Sequence, residues 1–203
     1  MPTQLPLLPS APVVAQLPKV PGLSYVPGFL SPEEETALLA VVDAQPWRDD
    51  LQRRVQHYGW RYDYSRKTVD ASMNLGPLPD WLKSLSARLV REKHSVATPD
   101  QAIVNEYEPG QGIRPHIDCV PCFGPTVLSL SLGSGCLLEL SRPDSAVGHE
   151  LYLEPRSLLV LTDEARYHWR HGIPLRRSDE WRGEARPRGR RVSLTFRQVV
   201  VTG

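Results

Sequence analysis

The chain has 203 residues, with 24 Lys and Arg balanced by 23 Asp and Glu. That length fits one domain with a sizeable core, and the near-zero net charge excludes partners recruited by overall field alone. Prolines interrupt the apolar residues near the N-terminus, so no signal peptide or membrane partner is expected and the sequence reads as soluble and cytoplasmic.

Residues 1–22 carry Pro2, Pro6, Pro9, Pro12, Pro18 and Pro21 without a period, which predicts a flexible leader ahead of one domain over residues 23–203. Ser24 to Leu30 reads as a short strand and turn. Ser31-Pro32-Glu33-Glu34 supplies an N-cap, a first-turn proline and a capping-box glutamate, so a helix runs from there to about Val42. In the stretch 51–64, Trp60, Tyr62 and Tyr64 alternate, which predicts three rings on one face of a strand, joined by Tyr58 if Gly59 keeps the register. Arg53 and Arg54 stand beside them. The pattern fits a hairpin packing its rings on the core; it also fits a lid whose rings stack beside cations, the chemistry of nucleobase binding. Asp80 to Arg91 places Trp81, Leu82, Leu85, Leu89 and Val90 at helical spacing and predicts an amphipathic helix capped by Asp80.

Gln101 to Tyr107 is a strand rich in β-branched and aromatic residues, broken at Pro109-Gly110. His116 and Asp118 follow. Two positions apart on an extended chain, they project from one face and can chelate one ion. Such a chelate forms two corners of the 2-His-1-carboxylate triad, which leaves open positions on Fe(II) for a co-substrate and O2. A His-x-Asp pair alone is weak, and the competing reading is a loop histidine bonded to its own neighbour. The third ligand is His168 or His171. Their odd separation turns them opposite ways on an extended chain, and Gly172, which permits close backbone approach, argues only mildly for His171.

Short strands are predicted over Thr126–Leu132, Gly135–Leu140, His149–Leu153, Ser157–Leu161 and Val192–Val201. Two opening helices ahead of such a series predict a β-sandwich or jelly roll. Near the last strand, Arg191, Ser193, Thr195 and Arg197 share one face. That face is either an edge with solvated arginines or a buried grip on an anion, and a dicarboxylate with a guanidinium at each end is a natural fit. The arginine series Arg166, Arg170, Arg176, Arg177, Arg182, Arg186, Arg188, Arg190 and Arg191 reads as a solvated basic loop or as a phosphate contact. Cys119 and Cys122 have the spacing of a zinc half-site or a redox pair, with no second pair to complete a zinc site.

Asn105-x-Tyr107-x-x-Gly110, His116-x-Asp118, Ser129-Leu-Ser131-Leu-Gly133, His171-Gly172-Ile173 and Arg191-x-Ser193-x-Thr195-Phe196-Arg197 come in the order and rough spacing of a known family. Over about residues 22–200 the chain resembles the AlkB-like Fe(II)/2-oxoglutarate dioxygenases. Tyr107-Glu-Pro-Gly-Gln-Gly-Ile, Pro155-Arg-Ser-Leu-Leu-Val and Arg166-Tyr-x-Trp-x-His-Gly-Ile are most similar to the branch that hydroxylates a modified tRNA wobble uridine, and to its stand-alone bacterial relatives.

The resemblance implies a mainly β fold, a double-stranded β-helix (jelly-roll) core with N-terminal helices packed on one sheet. It implies Fe(II), 2-oxoglutarate and O2 as cofactors. His116, Asp118 and His171 would be the iron ligands, with His168 an outward neighbour. Arg191 would take the distal carboxylate of 2-oxoglutarate, helped by Tyr107 and Ser193, while Arg197 and Asn105 hold the chelating end. The bacterial namesake has Asn where Ser193 stands, and an acidic residue where Val120 stands. The implied function is oxidation of alkyl groups on nucleobases, releasing aldehyde, succinate and CO2. The substrate would be single-stranded or flipped nucleic acid, received by a lid hairpin at about 51–64 through Arg53, Arg54, Tyr58, Trp60, Tyr62 and Tyr64. Hydroxylation of a tRNA wobble uridine is the alternative, and oxidation of a protein or small molecule a further one, since the fold does not decide the substrate. Without a heptad or apolar stripe, a monomer is expected.

Overall fold

A computed structural model describes residues 17–49 and 52–201; residues 1–16 of the expected leader and Leu51 of the expected lid lie outside them. In chain order the elements are β1 (Leu23–Val26), α1 (Pro32–Asp43), β2 (Val55–Tyr58), α2 (Asp80–Arg91), β3 (Gln101–Tyr107), β4 (Ile113–His116), β5 (Phe123–Gly133), β6 (Cys136–Ser141), β7 (Gly148–Leu153), β8 (Leu158–Leu161), α3 (Asp163–Tyr167), β9 (Arg170–Ile173), β10 (Ser178–Trp181), β11 (Glu184–Pro187) and β12 (Arg191–Val199). A six-stranded sheet runs β1-β8-β5-β12-β3-β2, and a four-stranded sheet runs β4-β9-β6-β7. Two sheets facing across a shared interior, with the helices on the outer face of the larger, make the mainly β jelly-roll architecture.

Period-two patterning explains which side of the larger sheet each residue takes. On β12, Val192, Leu194 and Phe196 join Ala102, Val104, Leu128, Leu130 and Leu132 in an apolar layer under α1 and α2, with Leu38, Val42, Leu82 and Leu89 packed on it. Each such side chain taken from water contributes about 1.5–3 kcal/mol. The opposite face of the sheet meets Leu138, Leu140, Leu151, Leu153, Trp169 and Ile173 of the smaller sheet and its approach. There Arg191, Ser193, Thr195 and Arg197 line a cavity instead of closing a core.

α1 begins as its sequence predicts. Ser31 Oγ accepts from the Glu34 N–H at 3.2 Å while the Glu34 carboxylate accepts from the Ser31 N–H at 2.8 Å. α2 departs from expectation, because its N-cap is Pro79 and no side chain caps it; Asp80 is the first helical residue. The end of the expected leader is also packed. Val20 is buried among the core residues, and the Pro21 carbonyl accepts the Ala165 N–H at 2.9 Å.

The largest local difference lies after β2. Gly59 takes φ +74°, and a Cβ there would stand 1.8 Å from the Asp100 carbonyl oxygen. The strand therefore stops at Tyr58, and residues 60–68 run on as turns closed by isolated bridges Trp60–Asn74 and Asp63–Thr68. The even alternation expected for Tyr58, Trp60, Tyr62 and Tyr64 is lost with the strand.

Candidate active site

β4 and β9 are antiparallel neighbours, and their register sets His116 opposite His171, with ring centroids 4.4 Å apart. A Cβ on Gly172 would lie 2.9 Å from the Pro115 nitrogen, so glycine is what lets the two strands approach this closely. Past His116 the chain leaves the strand and Asp118 turns inward, 6 % exposed. The ligand atoms of His116, Asp118 and His171 lie within 4.8 Å of one another. His168 follows α3 and is exposed.

The protonation states suit a divalent ion. His116 Nδ1 is 2.9 Å from the Arg114 carbonyl oxygen; a carbonyl only accepts, so Nδ1 is the donor and Nε2 is the nitrogen left for a metal. Asp118 Oδ1 accepts from Arg197 Nη2 at 2.6 Å. Asp118 Oδ2 and His171 Nδ1 are buried and have no hydrogen-bond partner among the described residues. Burial alone would raise the Asp118 carboxyl, but the Arg197, His171 and His116 charges outweigh it and hold it well below the usual carboxylate range. Burial, followed by the neighbouring His116 charge, pushes His171 down to about 4. A His171 imidazole kept neutral and an ionised carboxylate with an oxygen free of hydrogen bonds are states that ligate a metal. Nitrogen and oxygen donors on one side, facing an open cavity, fit Fe(II).

Beside this triad lies an unanswered positive charge. Arg191 is 3 % exposed, its Nη2 donates to Ser131 Oγ at 2.8 Å, and its guanidinium sits 5.4 Å from the Tyr107 ring centroid. Its Nε and Nη1 have no partner among the described residues. A buried guanidinium with idle donors is costly unless an anion completes it, and a carboxylate of 2-oxoglutarate has the matching paired geometry. Register sets Arg191 against Tyr107 and Ser193 against Asn105. Asn105 is engaged as well, accepting from Arg53 Nε at 3.0 Å.

A cavity of about 760 Å³ joins these groups, within the range of sites for small ligands. It brings together His116, Asp118, His171, Asn105, Tyr107, Arg191, Ser193 and Arg197, and of the expected lid residues Arg53, Tyr62 and Tyr64. Tyr62 and Tyr64 meet edge to face at 5.0 Å. The expectation of one six-residue platform is corrected for the other three, none of which lines this cavity. Arg54 pairs with buried Glu106 through two hydrogen bonds and covers the Trp47 ring. Tyr58 packs edge-on against Trp81 of α2, and burial pushes its hydroxyl up to about 12. Trp60 packs with Val69, Met73, Cys122 and Phe123, a cluster that Tyr62 also touches. Sequence reasoning passed over Gln52, Lys67, Arg114 and Leu175, which also line the cavity; the only signal for Lys67 and Arg114 was charge close to a motif.

The arginine series is largely absorbed into the fold. Arg166, 2 % exposed, donates to the carbonyls of Asp118, Cys119, Phe123 and Gly124, bracing the loop that carries the metal carboxylate. Arg176 and Arg188 close on Asp179, and Arg190 on Glu106 and Asp43. Cys119 and Cys122 form a disulfide in that same loop and so do not serve as half of a zinc site.

The sequence profile of the 2OG-Fe(II) oxygenase superfamily matches residues 22–197. The alkylated DNA repair protein ALKBH8 homolog of Arabidopsis thaliana is 37 % identical, over 89 % of this chain and 59 % of that protein. The tRNA (carboxymethyluridine(34)-5-O)-methyltransferase ALKBH8 of Mus musculus is 37 % identical, over 88 % of this chain and 30 % of that protein. The chain thus spans little more than half of the plant relative and under a third of the mouse one. The solved structure of OsALKBH1 superposes with a TM-score of 0.66 at 16 % identity, covering 90 % of this chain and 99 % of that one, which supports the fold.

Proposed function

The chain belongs to the 2OG-Fe(II) oxygenase superfamily, an Fe(II)- and 2-oxoglutarate-dependent dioxygenase, and on that premise we propose that it oxidises alkyl groups on nucleobases. The observation that carries this reading is the charge and ring content of one cavity. Arg53, Lys67, Arg114, Arg191 and Arg197 face a single carboxylate, Asp118, with Tyr62 and Tyr64 at the same opening. Arg191 and Arg197 are buried beside the triad and answer the co-substrate. That leaves Arg53, Lys67 and Arg114 for phosphates and two tyrosines for the face of a base. The relatives' names, one for alkylated DNA repair and one for tRNA modification, support nucleic acid as the substrate class.

His116, Asp118 and His171 would hold Fe(II), which would supply the oxidising chemistry that converts 2-oxoglutarate and O2 to succinate and CO2 and delivers one oxygen atom to a substrate C–H bond. The protein's part is placement. Asp118 Oδ1 is held by Arg197, which leaves Oδ2 without a hydrogen bond and available to an ion, and the Arg114 carbonyl holds His116 Nδ1. Arg191 would take the distal carboxylate of 2-oxoglutarate with Tyr107 and Ser193 around it, while Asn105 and Arg197 would flank the chelating end. Tyr62 and Tyr64 receive the base, which must leave its stack to enter and so favours single strands or flipped nucleotides. Hydroxylation on a carbon attached to nitrogen yields a product that collapses to aldehyde and dealkylated base; on any other carbon the alcohol stays. The scattered exposed apolar residues, such as Leu75, Val96, Val147 and Leu175, support a monomer.

A second reading is hydroxylation of a modified tRNA wobble uridine, whose substrate, though not its reaction, is the one in the mouse relative's name. One experiment separates the two. The enzyme is supplied with Fe(II), ascorbate and 2-oxoglutarate on alkylated single-stranded DNA, etheno-adducted DNA and total tRNA, and the digested nucleosides are weighed by mass spectrometry. Loss of an adduct is the expected result. Gain of one oxygen on a tRNA nucleoside establishes the second reading, and succinate with every nucleoside unchanged points to a protein or small-molecule substrate.

A further inference from the structure

Gln101 is fully buried at the start of β3, makes no contact with the cavity, and is the register partner of Arg197 on β12. Its two amide atoms face opposite ways. Oε1 accepts from Arg197 Nη1 at 3.2 Å, and Nε2 donates to the Trp60 carbonyl oxygen at 3.1 Å. Arg197 Nη2 in turn donates to Asp118 Oδ1 at 2.6 Å. A continuous relay therefore runs from the backbone at Trp60, through Gln101 and Arg197, to the carboxylate of the metal site. A carboxamide satisfies both ends at once, since one end needs an acceptor and the other a donor.

We propose that Gln101 is a positioning residue that fixes Arg197 on Asp118 and ties the turn bearing Tyr62 and Tyr64 to the metal centre. Arg197 has a long, flexible side chain stacked on Phe123 with its guanidinium 4.6 Å from the ring centroid. Stacking leaves that guanidinium free to rotate in its own plane. The bond to Gln101 removes this freedom, so Nη2 stays on Oδ1 and Oδ2 remains without a hydrogen bond, 3.5 Å from His171 Nε2. Outer partners of metal ligands commonly contribute 10- to 100-fold in metal affinity. At the other end, Trp60 is two residues from Tyr62, in a turn whose strand-like pairing is limited to the isolated bridges Trp60–Asn74 and Asp63–Thr68 and whose Trp60 and Tyr62 rings pack beside Phe123. The Gln101 amide is thus both a clamp on the metal carboxylate and an anchor for the segment that meets substrate. The inference rests on His116, Asp118 and His171 as the metal ligands, and not on the identity of the substrate.

Two substitutions separate the ends of the relay. Gln101→Met keeps the volume and removes both bonds. Gln101→Glu keeps an acceptor for Arg197 but sets a carboxylate against the Trp60 carbonyl. The readouts are Mn(II) affinity by isothermal titration, with Mn(II) as a redox-stable probe of the site, and amide hydrogen exchange over residues 60–64. Expected for Gln101→Met is about a tenfold loss of Mn(II) affinity with faster exchange in the turn. Gln101→Glu is expected to hold Mn(II) within about twofold of wild type while the turn exchanges as fast as in Gln101→Met. The proposal is overturned if Gln101→Met binds Mn(II) like wild type, or if both variants leave exchange at 60–64 unchanged. Should Gln101→Met fail to fold, Gln101→Glu decides alone, because retained Mn(II) with a loosened turn is required and any other pattern overturns the relay. Neither readout uses nucleic acid, so a wrong substrate class would leave this result intact.

Discussion

The two faces of β12 are the instructive contrast in this molecule. Val192, Leu194 and Phe196 point into a dry layer beneath the helices, while Arg191, Ser193, Thr195 and Arg197, interleaved with them, line the cavity. Adjacent residues on one nine-residue strand thus serve different ends. The first set gains by leaving water; the second holds polar groups in position without satisfying them, as Arg191 Nε and Nη1 and Arg197 Nε attest. Unsatisfied buried donors weaken a fold, so the cavity face is a place where stability has been conceded for binding.

If that division is right, substitutions on the two faces have opposite signatures. Phe196→Ala, at a site 1 % exposed, is expected to lower the free energy of unfolding by about 3–5 kcal/mol, read by urea denaturation. The affinity of whatever protein remains folded for 2-oxoglutarate should be unchanged. Arg191→Met reverses the pattern. Removing one partner of a buried charge pair costs about 2–5 kcal/mol, so 2-oxoglutarate affinity by isothermal titration should fall at least about 30-fold. Ligand-free stability should hold or rise, because an uncompensated buried charge has gone.

A smaller effect separates the rings of the turn. Tyr62→Ala or Tyr64→Ala is expected to weaken single-stranded nucleic acid binding by about 1–3 kcal/mol, read by fluorescence anisotropy. Tyr58→Ala should leave that binding alone and reduce stability instead, since its ring packs on Trp81. Equal losses of nucleic acid affinity at Tyr58 and Tyr62 would erase the distinction between cavity rings and core rings.

The smallest effect is one of pH. His171 in the metal-free protein is depressed to about 4, against about 6.5 for an unperturbed histidine. Between those values the unfolded chain binds the proton and the folded one does not, so stability falls as pH drops from about 6.5 toward 4. Asp118, also depressed, contributes stability that is present above the usual carboxylate range and is lost only in stronger acid. Melting temperatures of metal-free protein across this window should decline with acid, and the decline should flatten in His171→Asn.

Much of this was readable from local pattern. The capping box at Ser31, the strand Gln101–Tyr107 and the shared face of Arg191 to Arg197 all follow from periods and caps that involve a few neighbouring residues. The triad was half readable. His116 and Asp118 declare themselves by spacing, but the choice of His171 over His168 depends on which residue a distant strand opposes, and only the resemblance supplied it. The misplaced rings have a specific cause in Gly59, whose positive φ ends β2 and cancels the alternation that would have aligned Trp60 with Tyr62. Arg166 was read among a basic series although its charge is spent on four backbone carbonyls in the interior. Nothing in the chain near Arg166 reveals that loop 118–124 will close around it.

The most direct test of the whole account is stoichiometry. With Fe(II), 2-oxoglutarate, O2 and alkylated single-stranded DNA, one succinate should appear for each alkyl group lost, and Asp118→Ala should produce neither while remaining folded. Alkyl loss without matching succinate, or activity that survives Asp118→Ala, would contradict the assignment of this cavity as the oxidising site.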